Sequence, residues 1–417
     1  MKNFLKIACL LLLVAELLFL EKLRIETPML TQSRLKFDAA QTYAPAEPDS
    51  YTPAPAYTPA PAPAAVTATP APTPAATPEP TPEPTPEPPK EYVLSFIGDC
   101  TLWSNQNYER HPAGYAGMMG ENYAYPFSNT LQFFENDELT IANCECTLTD
   151  NPNLPYDYTQ VYFPFRAPTV YAEVFNEGGV DFVTTANNHM MDCYQAGADS
   201  TYMALYEHGV PFGIEGQAQI ITTPNGLNIG IYCSGTDLAP NKNKAVAAVQ
   251  QLVNDGAEYI ICAFHWGQEL YYEPNAAQKD LAHACIDAGA NVIYGSHPHC
   301  LQPIELYNGC LILYSCGNWT FGGSTMPKDP DTAIFQLRLQ RGEDGKLTPV
   351  GLDVIPCCVS SNIEGANVNE QNYNDYCPTP YETDSKEYMR VMSKLYGEYT
   401  PASQGADYGD WLASRAG

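Results

Sequence analysis

An α/β layered domain with a mixed sheet is the fold class that the 417-residue sequence predicts, on three observations. Compact apolar runs recur from Glu91 onward and alternate with helical segments that end on glycine. Nearly every apolar run closes in a short cluster of Asp, Glu, Asn or His, and the C-terminal edge of an open α/β sheet is where such folds place ligands. A late segment, "TAIFQLRLQRGEDGKLTPVGLDVIP", has the pattern of an antiparallel hairpin turning at Glu343 to Gly345, so the sheet is mixed.

The chain opens with "MKNFLKIACLLLLVAELLFL", in which Lys2 and Lys6 precede an apolar run from Ile7 to Leu20 interrupted by Glu16. This reads as an export signal. The run falls short of the roughly 20 residues of a comfortable span and lacks a convincing small-residue cleavage site. Residues 1–24 are therefore assigned as a signal anchor with its basic start in the cytoplasm, a cleaved signal peptide being the competing assignment. Residues 25–90 form a Pro/Thr/Ala/Glu-rich linker that ends in "TPEPTPEPTPEPP". Proline removes amide donors and fixes φ, so this stretch cannot build a ladder or a core and should act as an extended spacer. The expected location is extracytoplasmic, anchored to the bacterial cell membrane or secreted.

Composition narrows the partners. With 48 acidic against 20 basic residues the formal charge is −28, a field that repels nucleic acid and, beyond the N-terminal segment, anionic membrane surfaces. Fourteen cysteines in an exported chain would ordinarily suggest disulfides. Most of them, however, stand in or beside apolar runs, where a buried thiol behaves as a small hydrophobe. No CxxC pair exists, so a thiolate zinc site is not expected. One or two bridges are compatible with the spacing.

In the globular part, 91–356 with a C-terminal extension 357–417, strands are expected at "YVLSFIGDC", "LTIANCE", "VDFVTTANNH", "NIGIYCSG", "YIICAFHWG", "NVIYGSHPH" and "CLILYSCGN". Helices are expected at "PTVYAEVFNEGG", "QAGADSTYMALYEHG", "NKAVAAVQQLVNDG" and "NAAQKDLAHACIDAG", each closed by a glycine suited to a C-terminal cap. The tail carries one more candidate, "SKEYMRVMSKLYGEY".

The chemistry lies at the strand ends. Gly98 lets the chain turn and presents Asp99. Period-two alternation puts Asn143 and Glu145 on one face, and a half-buried glutamate there needs a partner or a metal to offset its desolvation. "TTANNHMMD" supplies Asn187, Asn188, His189 and Asp192, and "FHWGQE" supplies His265 and Glu269. In "GSHPH" alternation carries His297 and His299 to the same side while Pro298 stiffens the turn; two parallel imidazoles have few uses other than metal binding. Carboxylates, an amide and imidazoles together suit one or two divalent ions of manganese, iron or zinc without selecting among them. A pair of ions would need a bridging carboxylate, for which Glu145 and Asp99 are the candidates.

The ordered set "FIGDC", "ANCE", "TTANNHMMD", "FHWGQE", "GSHPH..QP" and "YSCGNW", spread from about Tyr92 to Pro356, resembles the bacterial capsule-synthesis CapA family, the poly-gamma-glutamate biosynthesis proteins, itself similar to the calcineurin-like metallophosphoesterases. The resemblance implies a four-layer αββα sandwich, two mixed sheets packed face to face between helices. It implies metal ligands at Asp99, Glu145, Asn188, His265, His297 and His299 and a catalytic proton donor at His189; Asn143, Asn187, Asp192, Glu269 and Asn318, in the same polar clusters, are assigned supporting roles. It further implies an anionic capsule polymer or its precursor as partner, beside a membrane synthetase complex, and a metal-dependent hydrolytic step; action on a small or cell-wall phosphoester and a non-catalytic polymer-binding scaffold are the alternatives. Two departures stand out. Thr101 occupies the place of a histidine in the phosphoesterase pattern, which removes one ligand, and Glu145 stands where those enzymes have Asp.

Overall fold

The computed structural model describes residues 90–157 and 163–399. The apolar segment 1–24 lies outside them, as does all of the 25–90 linker but Lys90. The strands, in chain order, are β1 (Glu91–Thr101), β2 (Leu139–Cys144), β3 (Thr147–Leu148), β4 (Arg166–Ala167), β5 (Phe182–Thr184), β6 (Phe212–Gly213), β7 (Ala218–Thr222), β8 (Asn228–Ser234), β9 (Tyr259–His265), β10 (Val292–Ser296), β11 (Ile304–Tyr307), β12 (Cys310–Leu313), β13 (Asn318–Phe321), β14 (Asp331–Arg341), β15 (Leu347–Cys358) and β16 (Thr379–Pro380). Two mixed sheets account for all but β3 and β4, which pair with each other.

The first sheet runs β16-β15-β14-β1-β2-β5-β6, with β13 also paired to β1; the second runs β11-β12-β10-β9-β8-β7. In the first, β1, β2, β5 and β6 are parallel while β14 and β15 form the expected hairpin. In the second, a parallel core of β8, β9, β10 and β12 is bordered by antiparallel β7 and β11. The apolar runs behave as strands buried on both faces. One set of side chains, Leu94, Phe96 and Phe335 from one sheet with Ile231, Ile261 and Tyr294 from the other, forms a shared core between the sheets. Tyr294 also donates from its hydroxyl to the Ile97 carbonyl across that gap, at 2.7 Å.

Helices cover the outer faces. Ala204 and Leu205 of the helix Tyr194–Glu207 pack on the first sheet. The helices Lys242–Asn254 and Ala276–Asp287 pack on the second through Val249, Leu252, Leu281 and Cys285. The layers thus run helices, sheet, sheet, helices, an α/β arrangement with two mixed sheets. Ala276–Asp287 starts in a capping box between Asn275 and Gln278, and the expected cap glycines Gly209 and Gly256 take φ of 71° and 87°. One expectation is corrected: "PTVYAEVFNEGG" is not a single helix but a 3-10 turn, Thr169–Ala172, running into a short α-helix, Glu173–Glu177. The thirteen described cysteines are all free thiols, nearly all buried. The one or two bridges compatible with the sequence are absent among the described residues.

The tail helix Lys386–Leu395 is capped by the Ser385 side chain, which accepts from the Tyr388 amide. It docks on the start of β14 through charge. Lys394, 3 % exposed, donates from Nζ to Asp329 at 2.7 and 2.8 Å and to Asp331 at 2.7 Å, and Arg390 forks onto both oxygens of Asp331. Burial raises both carboxyl groups, and for Asp331 the cations overcome it and hold the pKa below the usual value. Removing one member of a buried charge group strands the others without water or partner. Lys394→Met, which keeps the packing length, is expected to destabilise the protein by about 3–5 kcal/mol, read as a fall in the urea midpoint at unchanged slope.

Candidate metal centre

Strand register assembles the first half of the site. Asp99 on β1 is paired with Asn143 on β2 and with Asn318 on β13, and Asn143 in turn with Thr184 on β5. Four polar residues therefore stand abreast on adjacent parallel strands. Asn187 donates from Nδ2 to Asn143 Oδ1 at 3.0 Å and to the Cys144 carbonyl at 2.8 Å. Asn143 passes this orientation on, its own Nδ2 donating to Asp99 Oδ1 at 2.9 Å. The other Asp99 oxygen accepts the His297 backbone N–H at 3.2 Å and lies 3.4 Å from His299 Nδ1.

The second sheet delivers the imidazoles. His265, at the tip of β9, is in register with Ser296 on β10, whose hydroxyl lies 2.9 Å from Nδ1. The Nε2 atom lies 2.8 Å from Asn188 Oδ1 and 3.3 Å from Glu145 Oε1. His299 Nδ1 lies 2.9 Å from Asn318 Oδ1 and its Nε2 is 3.8 Å from Glu145 Oε1. Glu145 is fully buried, with Oε1 lacking a hydrogen-bond partner, and the buried His297 Nδ1 also has none.

The histidine pair reaches its position by a route different from the one expected. Strand β10 ends at Ser296, so side-chain alternation does not carry His297 and His299 to one side. Both residues sit instead in left-handed backbone, at φ of 97° and 53° around Pro298, and their ring centroids are 5.8 Å apart. Non-glycine residues there cost on the order of 1–3 kcal/mol each and persist where the surroundings over-determine them.

His189 follows Asn188 in a 3-10 turn, Asn188–Met191. Its Nδ1 is 2.9 Å from Asp192 Oδ2, and its ring packs on Phe165 with centroids 4.7 Å apart. The same Asp192 carboxylate accepts the Phe165 amide. Burial would lower the His189 pKa, but the charge and hydrogen bond of Asp192 raise it above the ordinary histidine value.

Charge at the centre is strongly organised. Burial pushes Glu145 up, yet His299 and His265 reverse that and hold it well below the ordinary carboxylate range. Burial would depress His299; Glu145, the hydrogen bond to Asp99 and Glu269 outweigh it and lift it to about 10. His297 goes the other way, pushed well below its usual value by burial and by its imidazole neighbours, which leaves a neutral ring with a lone pair to offer. A divalent cation would take over the neutralising part that the His299 proton plays. Two donor sets fit one: Glu145, His265 and His297, and Asp99, Glu145 and His299, with the ligand atoms of each set within 4.8 Å of one another. The unpartnered Glu145 Oε1 and His297 Nδ1 are the atoms such an ion would satisfy.

Every expected ligand thus meets at one place, with Asn143, Asn187 and Asn318 as orienting partners and His189 with Asp192 beside it. Two contributors were not anticipated. The Thr101 hydroxyl, in the position of the missing histidine, donates to Glu145 Oε2 at 3.4 Å, and Ser296 orients His265. Ser296 lies inside the "GSHPH" motif, but only the β9–β10 register reveals its partner.

Comparisons of sequence point to one family. The bacterial capsule synthesis protein family PGA_cap matches residues 93–323. The PGA biosynthesis protein CapA of Bacillus subtilis is 28% identical over 281 residues, 62% of this chain and 71% of that protein. The capsule biosynthesis protein CapA of Bacillus anthracis is 25% identical over 293 residues, 64% of this chain and 67% of that protein. Among solved structures, the NAD nucleotidase of Haemophilus influenzae is 12% identical with a TM-score of 0.37, covering 78% of this chain and 67% of that one, a likeness too loose to bear on function.

Thermal denaturation checks the donor sets. Because an ion that binds only the folded state stabilises it by about 2.7 kcal/mol at 100 times its Kd, Mn2+ or Zn2+ added to chelator-stripped protein is expected to raise Tm, and His265→Ala to abolish the rise. An equal rise in His265→Ala would count against the site.

Proposed function

The chain belongs to the bacterial capsule synthesis family PGA_cap, and from that premise we propose that it acts in the synthesis, export or attachment of a poly-gamma-glutamate or related capsule polymer, through a divalent-cation site with a hydrolase-like layout. The observation that carries this reading is the convergence of Asp99, Glu145, Asn188, His265, His297 and His299, from the tips of both sheets, around a buried carboxylate oxygen without a hydrogen-bond partner. Isolated buried carboxylates are costly, and the donor chemistry around this one is that of Mn, Fe or Zn ligation.

A cation held there supplies Lewis acidity and neutralises charge that develops on a bound group. The chain's own residues do the rest. Asn143, Asn187, Asn318 and Ser296 fix the ligand geometry. His189, with Nδ1 held by Asp192, keeps Nε2 for proton exchange with a group at the centre. An acidic protein of charge −28 repels a polyanion, so contact with the carboxylates of such a polymer would need metal ions or a local basic pocket to mediate it. The expected setting is outside the cytoplasm, with residues 1–24 as anchor, the Pro-rich stretch as spacer and a membrane synthetase complex nearby.

The second reading, hydrolysis of a phosphoester, rests on the His189–Asp192 pair beside the two donor sets, an arrangement suited to protonating a leaving oxygen. Complementation distinguishes the two. In a strain lacking the gene, the wild-type chain is expected to restore surface polymer, and Glu145→Gln and His297→Ala to fall at least roughly tenfold short at matched protein levels. Full restoration by both variants would refute the cation-dependent role. Turnover of model phosphodiesters by the purified protein, lost in His189→Ala, would favour the phosphoesterase.

A further inference from the structure

Glu269 stands four residues beyond His265, in the turn that leaves β9. That turn is laced to the histidine loop. The Trp266 amide donates to the Ser296 carbonyl at 3.1 Å, and the Leu270 amide donates to the Pro298 carbonyl at 2.8 Å. Trp266 is buried, with its indole N–H on the Tyr314 carbonyl at 2.9 Å, and Gly267 takes φ of 91° to turn the chain. Between these fixed points Glu269 faces the loop that carries both histidines.

The result is a third donor set. A Glu269 carboxylate oxygen lies within 4.8 Å of ligand nitrogens on both His297 and His299. This set shares His297 with the Glu145–His265–His297 group and His299 with the Asp99–Glu145–His299 group. Glu145 joins those two groups on the buried side, where it is fully enclosed; Glu269 is partly exposed. His297 Nδ1 is buried and has no hydrogen-bond partner, so this loop keeps a nitrogen that no protein group occupies. On the other side of the centre Thr101 offers only a hydroxyl, already spent on Glu145.

We propose that Glu269 is a metal ligand, which closes the centre from the solvent side and supplies the donor that Thr101 does not. A carboxylate beside two imidazoles is a ligand set for Mn, Fe or Zn. The proposal rests on the cation site proposed above and adds to it one ligand with a defined reason for its position.

The test counts ions and does not need a substrate. Full-length protein stripped with chelator is titrated with Mn2+ and with Zn2+, affinity being read by calorimetry and bound metal by elemental analysis after gel filtration. Wild type is expected to hold about two ions. Glu269→Gln is expected to keep the ion nearest His265 and to bind the other at least about tenfold more weakly, with an unchanged melting curve in chelator because the side chain is partly exposed. Thr101→His added to Glu269→Gln is expected to restore the second ion. That rescue separates ligation from simple charge compensation, since a neutral imidazole returns a donor but no negative charge. Affinities and metal content of Glu269→Gln within about twofold of wild type would overturn the proposal while leaving the cation site standing, as would failure of the rescue. Wild type that binds no ion would overturn both.

Discussion

The centre depends on how closely β1 passes the turn before β13. A Cβ on Gly98 would lie 2.1 Å from the Gly317 carbonyl oxygen, so no other residue fits, and the Asp99 amide donates to that same carbonyl at 2.9 Å. The contact locks the strand end in place. Asp99 then points where Asn143, the His297 amide and His299 converge, and each of these positions the next residue outward. Through this contact the first sheet sets where the ligands of the second must arrive.

Much of the site was readable because its information is local. Each ligand ends an apolar run, and strands so buried have their tips at the sheet edge whatever their neighbours are. "GDC", "NCE", "NNH" and "HWGQE" needed no partner strand to be recognised as polar clusters. The remainder is set by register and backbone turns. His297 and His299 looked like alternating strand residues, yet the strand ends at Ser296 and left-handed backbone brings the rings together. The Thr101 hydroxyl looked like a lost ligand and became a donor to Glu145 only once β1 lay beside β2. The edge strands β7 and β11 are short and only partly buried, so they lack the long apolar run that marks a central strand, and the division into two sheets came from family resemblance, since periodicity does not say which sheet a buried strand joins.

Charge distribution follows a consistent plan. The chain as a whole is strongly acidic, yet buried carboxylates away from the centre are held by fixed donors: Asp329 and Asp331 by Lys394 and Arg390, Glu138 by Thr223 and Asn225. Glu145 departs from this plan, holding one oxygen that only imidazoles approach. Structural acids pair with fixed donors, whereas this one stands among groups that share an exchangeable positive charge.

The family match ends at residue 323, before β14, yet β14 runs antiparallel along β1 from Glu91↔Gln340 to Phe96↔Phe335. A polypeptide stopped at the end of the match would leave that side of β1 as a bare, apolar edge, the kind of surface that recruits foreign strands and aggregates. During synthesis the same holds for a time. The first strand to emerge has to stay soluble, with half of its ladder unmade, until a partner from nearly the other end of the chain arrives, and this long-range closure should make the first sheet slow to complete.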